Sequence, residues 1–250
     1  PSYFIKGSMN TELTNILAPK GILRAAINMS NFLLVTNKNS DGSPDGVSPD
    51  LAKRIATELK VDCELIPFSR PGELADAVNE DVWDIGNIAF ESERANTINF
   101  SIPYVLIDAN FMIKNNSRFK TNKDIDKSGV TIVVAERSAY DLWLKENFFN
   151  AEIIRVNSIQ ESHDFFNDGK CDVLAGLKPK LLDELSNNNN YKIIENPFTF
   201  IKQSVGVKKG NDQAVTFLNK LISKLLKEGF IYNSLKKHEV DKKLSLPKIN

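Results

Sequence analysis

Arg94 is the residue in this chain best suited to gripping a small charged molecule. It stands in the stretch DIGNIAFESERANTINFSIPY, residues 84–104, which begins as a short apolar strand and opens into a polar loop. A guanidinium presents its N–H donors as a planar fork, and a carboxylate accepts two of them in parallel. In open α/β sheets, ligands gather beyond the carboxyl ends of the strands, which is where this arginine would lie. A lone arginine on a solvated loop contributes little by itself, so the rest of the chain has to decide its meaning.

Other chemistries lack their residues. No GxGxxG, P-loop or GxSxG occurs, which leaves no nucleotide-cofactor or activated-serine signature. The two histidines, His163 and His238, fit no metal-ligand spacing. His163, within SIQESHDFF, reads as a solvated residue on a charged helix face. Cys63 and Cys171 each lie in an apolar, strand-like run and read as buried free thiols, with a disulfide between them the alternative. No metal, no cofactor and no catalytic residue is therefore expected. Lys+Arg and Asp+Glu both number 32, so nothing in the charge balance points to nucleic acid. Apolar runs fall far short of the roughly 20 residues of a membrane span.

The elements that would position Arg94 alternate along the 250 residues. GILRAAIN, residues 21–28, reads as a strand. Ser48-Pro49-Asp50 reads as the start of a helix, with Ser48 as the cap and Leu51, Ile55 and Leu59 as its apolar stripe. Strands at residues 62–68 and 83–89 flank a helix at 71–80. The pattern restarts with GVTIVVA at 129–135. Two capping boxes, Ser138-x-x-Asp141 and Ser158-x-x-Glu161, open helices. Further strands fall at 151–156, 172–176, 191–195 and 203–208, and Asn211 opens a long amphipathic helix that Gly229 ends. Short β-α-β connections of this kind imply parallel sheets with helices on their faces. The reading divides the chain into lobe 1 (20–106 plus 203–250) and lobe 2 (110–202), joined by two crossings with a ligand cleft between them. Residues 1–19 would be a tag remnant and N-terminal segment. Gly7-Ser8-Met9 resembles a cloning scar, upstream of which an export signal would have been removed.

The ordered series of segments resembles the family 3 solute-binding proteins, the polar amino-acid type that serves ABC importers. The matching pieces are GILRAAIN, DG-VSPDLAKRIATEL, VWDIGNIAFESERANTINFSIPY, GVTIVVAERSAYDLWL, NDGKCDVLAG and NPFTFIKQSVGVKKGN. The resemblance implies an α/β, two-lobed periplasmic-binding-protein fold of type II with a two-strand hinge. It implies a monomer in the periplasm that closes on a small solute and presents it to an ABC transporter permease. Some members of the fold are cyclohexadienyl dehydratases, which makes an enzyme of that type the alternative. Glu136 would then be the general acid, with Lys178 and Arg70 as nearby cations.

Carried over residue by residue, the resemblance makes Arg94 of Ser92-Glu93-Arg94 the holder of a ligand carboxylate. Asn87, Ile88, Ala89 and Phe90 stand where assisting hydroxyls are usual, and Phe90 would form an apolar wall. In lobe 2, Arg137 and Ser138 occupy the turn at a helix N-terminus, whose free N–H groups and dipole favour an anion. Asn28 and Leu177 stand where amino-acid binders carry acids for the ammonium group. A primary ammonium enclosed without a carboxylate is costly. The expected solute is thus anionic or zwitterionic but not a standard α-amino acid: an organic acid, or a quaternary-ammonium zwitterion over aromatic faces such as Phe32, Phe90, Tyr140 and Trp143.

Overall fold

The computed structural model describes residues 11–249, which form two compact units; Gly7-Ser8-Met9 lies outside the described residues. One unit extends through Val105 and resumes at Lys202, and the other is Leu106–Ile201.

The first unit opens with helix α1 (residues 11–17) and strand β1 (Ile22–Asn28). A two-stranded ribbon, β2 (Asn37–Lys38) and β3 (Pro44–Asp45), leads into helix α2 (Val47–Glu58). Then come β4 (Asp62–Phe68), α3 (Pro71–Asp76) with a 3-10 turn at Ala77–Asn79, β5 (Ile85–Phe90) and β6 (Ile98–Phe100). Strands β4, β1 and β5 are parallel, with β1 in the middle. The face of β5 that carries Ile88 packs on Leu74, Val78, Trp83 and Ile98. Trp83 is anchored there by donating its indole N–H to the Leu74 carbonyl at 3.0 Å.

The second unit starts with β7 (Val105–Lys114) and continues through β8 (Thr131–Ala135), α4 (Ala139–Asn147), β9 (Glu152–Val156), α5 (Ile159–Asn167), β10 (Val173–Leu177), α6 (Lys178–Asn187) and β11 (Tyr191–Ile193). Here β9, β8 and β10 are parallel, and β7 runs antiparallel to β10 with β11 beside it. The chain returns along β12 (Thr199–Lys208), whose residues from Lys202 onward pair antiparallel with β5 and β6. Helices α7 (Asp212–Lys227) and α8 (Phe230–Lys237) complete the first unit. Each unit thus has the same plan: three parallel strands, the first in the middle, with an antiparallel strand beside the third.

Local chemistry explains most element boundaries. Ser138 and Ser158 accept from the backbone N–H of Asp141 (3.2 Å) and Glu161 (3.1 Å), capping α4 and α5 as their spacing predicts. The start of α2 is different. Gly46 is the N-cap, and Ser48 lies inside the helix, its hydroxyl donating to the Leu34 carbonyl at 3.2 Å. Gly46 has φ +154°, and a Cβ there would lie 2.2 Å from the Leu34 oxygen, so only glycine fits. Asn211 is the N-cap of α7 but makes no side-chain capping bond.

Two further expectations are corrected. The helix at 71–80 is one α-helical turn and a half followed by a 3-10 turn. His163 is buried, at 1% exposure, with Nδ1 3.1 Å from Glu184 Oε1, because its helix turns that face onto α6. Burial lowers the imidazole pKa, and Glu184 only partly offsets this.

Candidate functional site

In the first unit, the parallel strands bring their carboxyl ends to one edge. Asn28 pairs with Phe68, and Ile27 with Asn87, so the turn after β1 and the loop after β5 leave the sheet together. Asn28 shapes the first turn, its Oδ1 accepting from the Ser30 amide (3.1 Å) and hydroxyl (2.7 Å). Asn31, buried, does the same for the amides of Leu33 and Leu34. Phe32, which follows Asn31, is half-buried.

The loop after β5 carries Glu91, Glu93 and Arg94. Arg94 is 5% exposed, and its Nη1 donates to the Ala89 carbonyl at 2.8 Å. It opens a 3-10 turn, Arg94–Asn96, so the fork is set by local backbone rather than carried on a free loop. Phe90 is half-buried with its ring edge-on to Phe100 at 5.4 Å, and Lys202 Nζ stands 5.9 Å from the ring centre. Asn87 is 3% exposed, yet neither its Oδ1 nor its Nδ2 has a hydrogen-bond partner. A buried amide with both ends unpaired is unusual and costly.

Sequence reasoning passed over Glu91. It is 8% exposed, three residues before Arg94 in the same loop, and its carbonyl accepts from the Ala95 amide at 3.0 Å. The signal available was its place directly after an apolar strand, where a carboxylate would have to be enclosed.

In the second unit, the carboxyl ends of β8 and β10 carry the remaining candidates. Arg137 has a left-handed backbone, φ +58°, and is exposed, as is Glu136. Ser138 is buried, its hydroxyl donating to the Ala135 carbonyl at 2.8 Å while accepting from Asp141. The Asp141 carboxylate already stands at this helix N-terminus: it accepts from the Arg137 amide at 2.7 Å and from Arg155 Nε at 2.8 Å. Any external anion at α4 therefore joins an internal one.

Leu177 is buried at the N-cap of α6, across from Ala109. Lys178 Nζ lies 4.0 Å from Asp108 Oδ2, and Asp108 is the residue before Ala109, the cross-strand partner of Leu177. Trp143 packs in an aromatic cluster with Phe148 (6.0 Å) and Phe198 (5.5 Å). Tyr140 is buried with its hydroxyl unpartnered, and burial pushes its pKa well above the ordinary value.

Asp45, Asp50 and His238, far apart in sequence, bring their ligand atoms within 4.8 Å of one another. Asp50 there accepts from Ser234 (2.7 Å) and lies 2.8 Å from His238 Nε2, so the group ties α8 to the start of α2. Cys63 and Cys171 are both free thiols, in different units, and burial pushes each up to about 11.

Comparison with known proteins follows this geometry. The profile of the bacterial extracellular solute-binding proteins, family 3, matches residues 23–240. The L-cystine-binding protein TcyJ of Escherichia coli is 23% identical over 230 residues, covering 90% of this chain and 85% of that protein. Cyclohexadienyl dehydratase of Pseudomonas aeruginosa is 28% identical over 189 residues, covering 71% and 69%. An amino acid ABC transporter substrate-binding protein of Streptococcus pneumoniae, solved bound to L-arginine, superposes with a TM-score of 0.71 at 22% identity, covering 91% of this chain and 98% of that one. That structure speaks for the fold alone.

Proposed function

The chain belongs to the bacterial extracellular solute-binding proteins, family 3, and on that premise we propose that it captures a small organic solute by its carboxylate, held at Arg94. Arg94 is the observation that carries this reading. A guanidinium so enclosed, at the carboxyl edge of a parallel sheet, is a strong charge-assisted donor for a carboxylate brought to it. Asn87, Phe90, Asn28 and Phe32 would line the same edge. In the second unit, taken by itself, Arg137 and Ser138 at the N-terminal turn of α4 and Leu177 at the start of α6 are the proposed ligand contacts, the helix dipole favouring an anion. Micromolar capture needs about 8 kcal/mol, which one enclosed anion contact plus apolar burial can supply.

The protein would act as a monomer outside the cytoplasm and present its solute to the permease of an ABC importer. No described helix is long and apolar enough to cross a membrane. The relatives' names give cystine and arginine as ligands, which are amino acids. They lend no support to the expectation of a non-amino-acid solute, and amino acids head the test.

A thermal-shift screen across amino acids including cystine, small organic acids and glycine betaine tests the reading. At least one carboxylate-bearing solute is expected to raise the melting temperature by mass action. Arg94→Ala should abolish that shift. A shift that survives the substitution, or one confined to solutes without a carboxylate, refutes the proposal.

The dehydratase relative supplies a second assay. Glu136, the acid nearest α4, is exposed, Arg70 is exposed at the start of α3, and Lys178 faces Asp108. Incubation with prephenate is expected to yield no phenylpyruvate. Turnover that Glu136→Gln removes would replace the binding reading with an enzymatic one.

A further inference from the structure

We propose that Asp45, Asp50 and His238 form a binding site for one divalent transition-metal ion of the zinc type. The site is separate from the loop that carries Arg94 and independent of the carboxylate reading.

The three side chains come from three elements of the first unit. Asp45 ends β3, Asp50 stands in the first turn of α2, and His238 follows the last turn of α8. Their ligand atoms all lie within 4.8 Å of one another. His238 Nε2 is 2.8 Å from Asp50 Oδ2 and 4.0 Å from Asp45 Oδ1. Zinc bonds to imidazole nitrogen and carboxylate oxygen are about 2.0–2.2 Å long, which places neighbouring ligand atoms of a tetrahedral site about 3.3 Å apart. One contact is shorter than that and the other longer, so an ion at the centre needs side-chain shifts of about 1 Å and no change of backbone. The fourth position falls to water. A hollow of about 380 Å³, lined in part by Asp50, Ser234 and Lys237, adjoins the group and gives the ion a path in.

Charge argues for the ion independently. Two carboxylates face one imidazole whose side chain is 6% exposed, and its Nε2 proton can serve only one of them. A carboxylate only accepts, so Nε2 donates to Asp50, which also accepts from Ser234 at 2.7 Å. The Asp45 carboxylate makes no hydrogen bond among the described residues; its contact is the 4.0 Å approach to Nε2. Two like charges held this close in a half-buried setting oppose one another. A divalent ion that replaces the Nε2 proton bonds both carboxylates at once, and the ring keeps its proton on Nδ1. An imidazole among the ligands selects against calcium and magnesium, which take oxygen. Lys237 is the competing cation: Nζ lies 3.4 Å from Asp50 on a side chain that is 63% exposed and can swing to solvent. The chain's other histidine, His163, is buried against Glu184 in the second unit, so it offers no rival imidazole.

The test uses the full chain, stripped with a chelator and titrated with zinc chloride, followed by calorimetry and by melting temperature. One equivalent of zinc should bind and raise the melting temperature, while calcium and magnesium at the same concentration should not. Asp45→Asn, and separately His238→Gln, should weaken zinc binding by about a hundredfold. Lys237→Ala should tighten it by about tenfold, an effect that a merely structural clasp does not produce. Absence of zinc binding to the native chain overturns the inference. Zinc binding that Asp45→Asn leaves unchanged, or a response to calcium equal to that to zinc, overturns it as well. Should His238→Gln fail to fold, Asp45→Asn still decides, because the Asp45 carboxylate supports no hydrogen bond whose loss would unfold the chain.

Discussion

The Arg94 guanidinium donates through Nη1 to the carbonyl oxygen of Ala89, five residues back, at 2.8 Å. The contact fixes the fork on the strand that feeds it, so the side chain has a structural duty besides any ligand. Arg94→Lys keeps the charge and loses the planar fork. It is expected to retain a weak ligand-induced shift, with affinity lowered about ten- to a hundredfold, whereas Arg94→Ala loses the shift outright. Calorimetry on the best solute from the screen measures both, and equal affinity in the lysine variant would show that bidentate geometry plays no part.

Asp141 is a buried acid in the first turn of α4, between the Arg137 amide and Arg155. Asp141→Asn should destabilise the protein by about 2 kcal/mol, since charge-assisted bonds contribute roughly 1.5–3 kcal/mol each and the amide keeps part of the geometry. Ser138→Ala, which removes the cap, should cost about 1 kcal/mol. Urea unfolding of the two variants checks both figures.

His163 gives the fold a pH dependence whose sign is fixed by burial. Its folded pKa is lowered, so the unfolded chain binds the proton more readily. The stabilisation is complete above the ordinary histidine value of about 6.5. It is lost as pH falls from there through the lowered folded value. Replacement by Gln should flatten the melting-temperature profile between about pH 5 and 7. A native profile that is already flat there would contradict the burial argument.

At Gly46 an added Cβ would meet the Leu34 carbonyl oxygen at 2.2 Å and the Cα of Val35 at 2.9 Å, both main-chain atoms that cannot step aside. Gly46→Ala is expected to cost about 2–4 kcal/mol, combining an unfavourable φ with displacement of the ribbon that precedes α2. Denaturant midpoints at unchanged m-value would report it.

What the sequence made legible was what local rules decide. Ser138 and Ser158 announced α4 and α5 because a capping serine and its acidic partner lie three residues apart. The order of strands and helices was readable because the central parallel strands, such as β8 (TIVVA) and β10 (VLAGL), are short apolar runs. The start of α2 was misread because Ser48-Pro49-Asp50 satisfies the capping pattern, whereas the true boundary is set by the Leu34 carbonyl, fourteen residues earlier, against Gly46. His163 was misread for the same kind of reason: its neighbours in sequence are charged, but its neighbour in space is Glu184 on α6. In the candidate site, Arg94 stood out by residue type. Glu91 did not, since a glutamate in Glu-Ser-Glu-Arg looks solvated until the fold encloses the first and leaves Glu93 outside. The clasp of Asp50 with His238 joins residues 188 apart and has no sequence signature.

Because the chain leaves the first unit after Val105 and re-enters it at Lys202, the second unit is an insertion whose two attachment points both belong to its host. Tension applied to the chain termini therefore loads the first unit directly and reaches the second only after its host has given way. In a single-molecule pulling experiment the second unit should be the mechanically sheltered one, yielding last, as a contour-length step of about 96 residues.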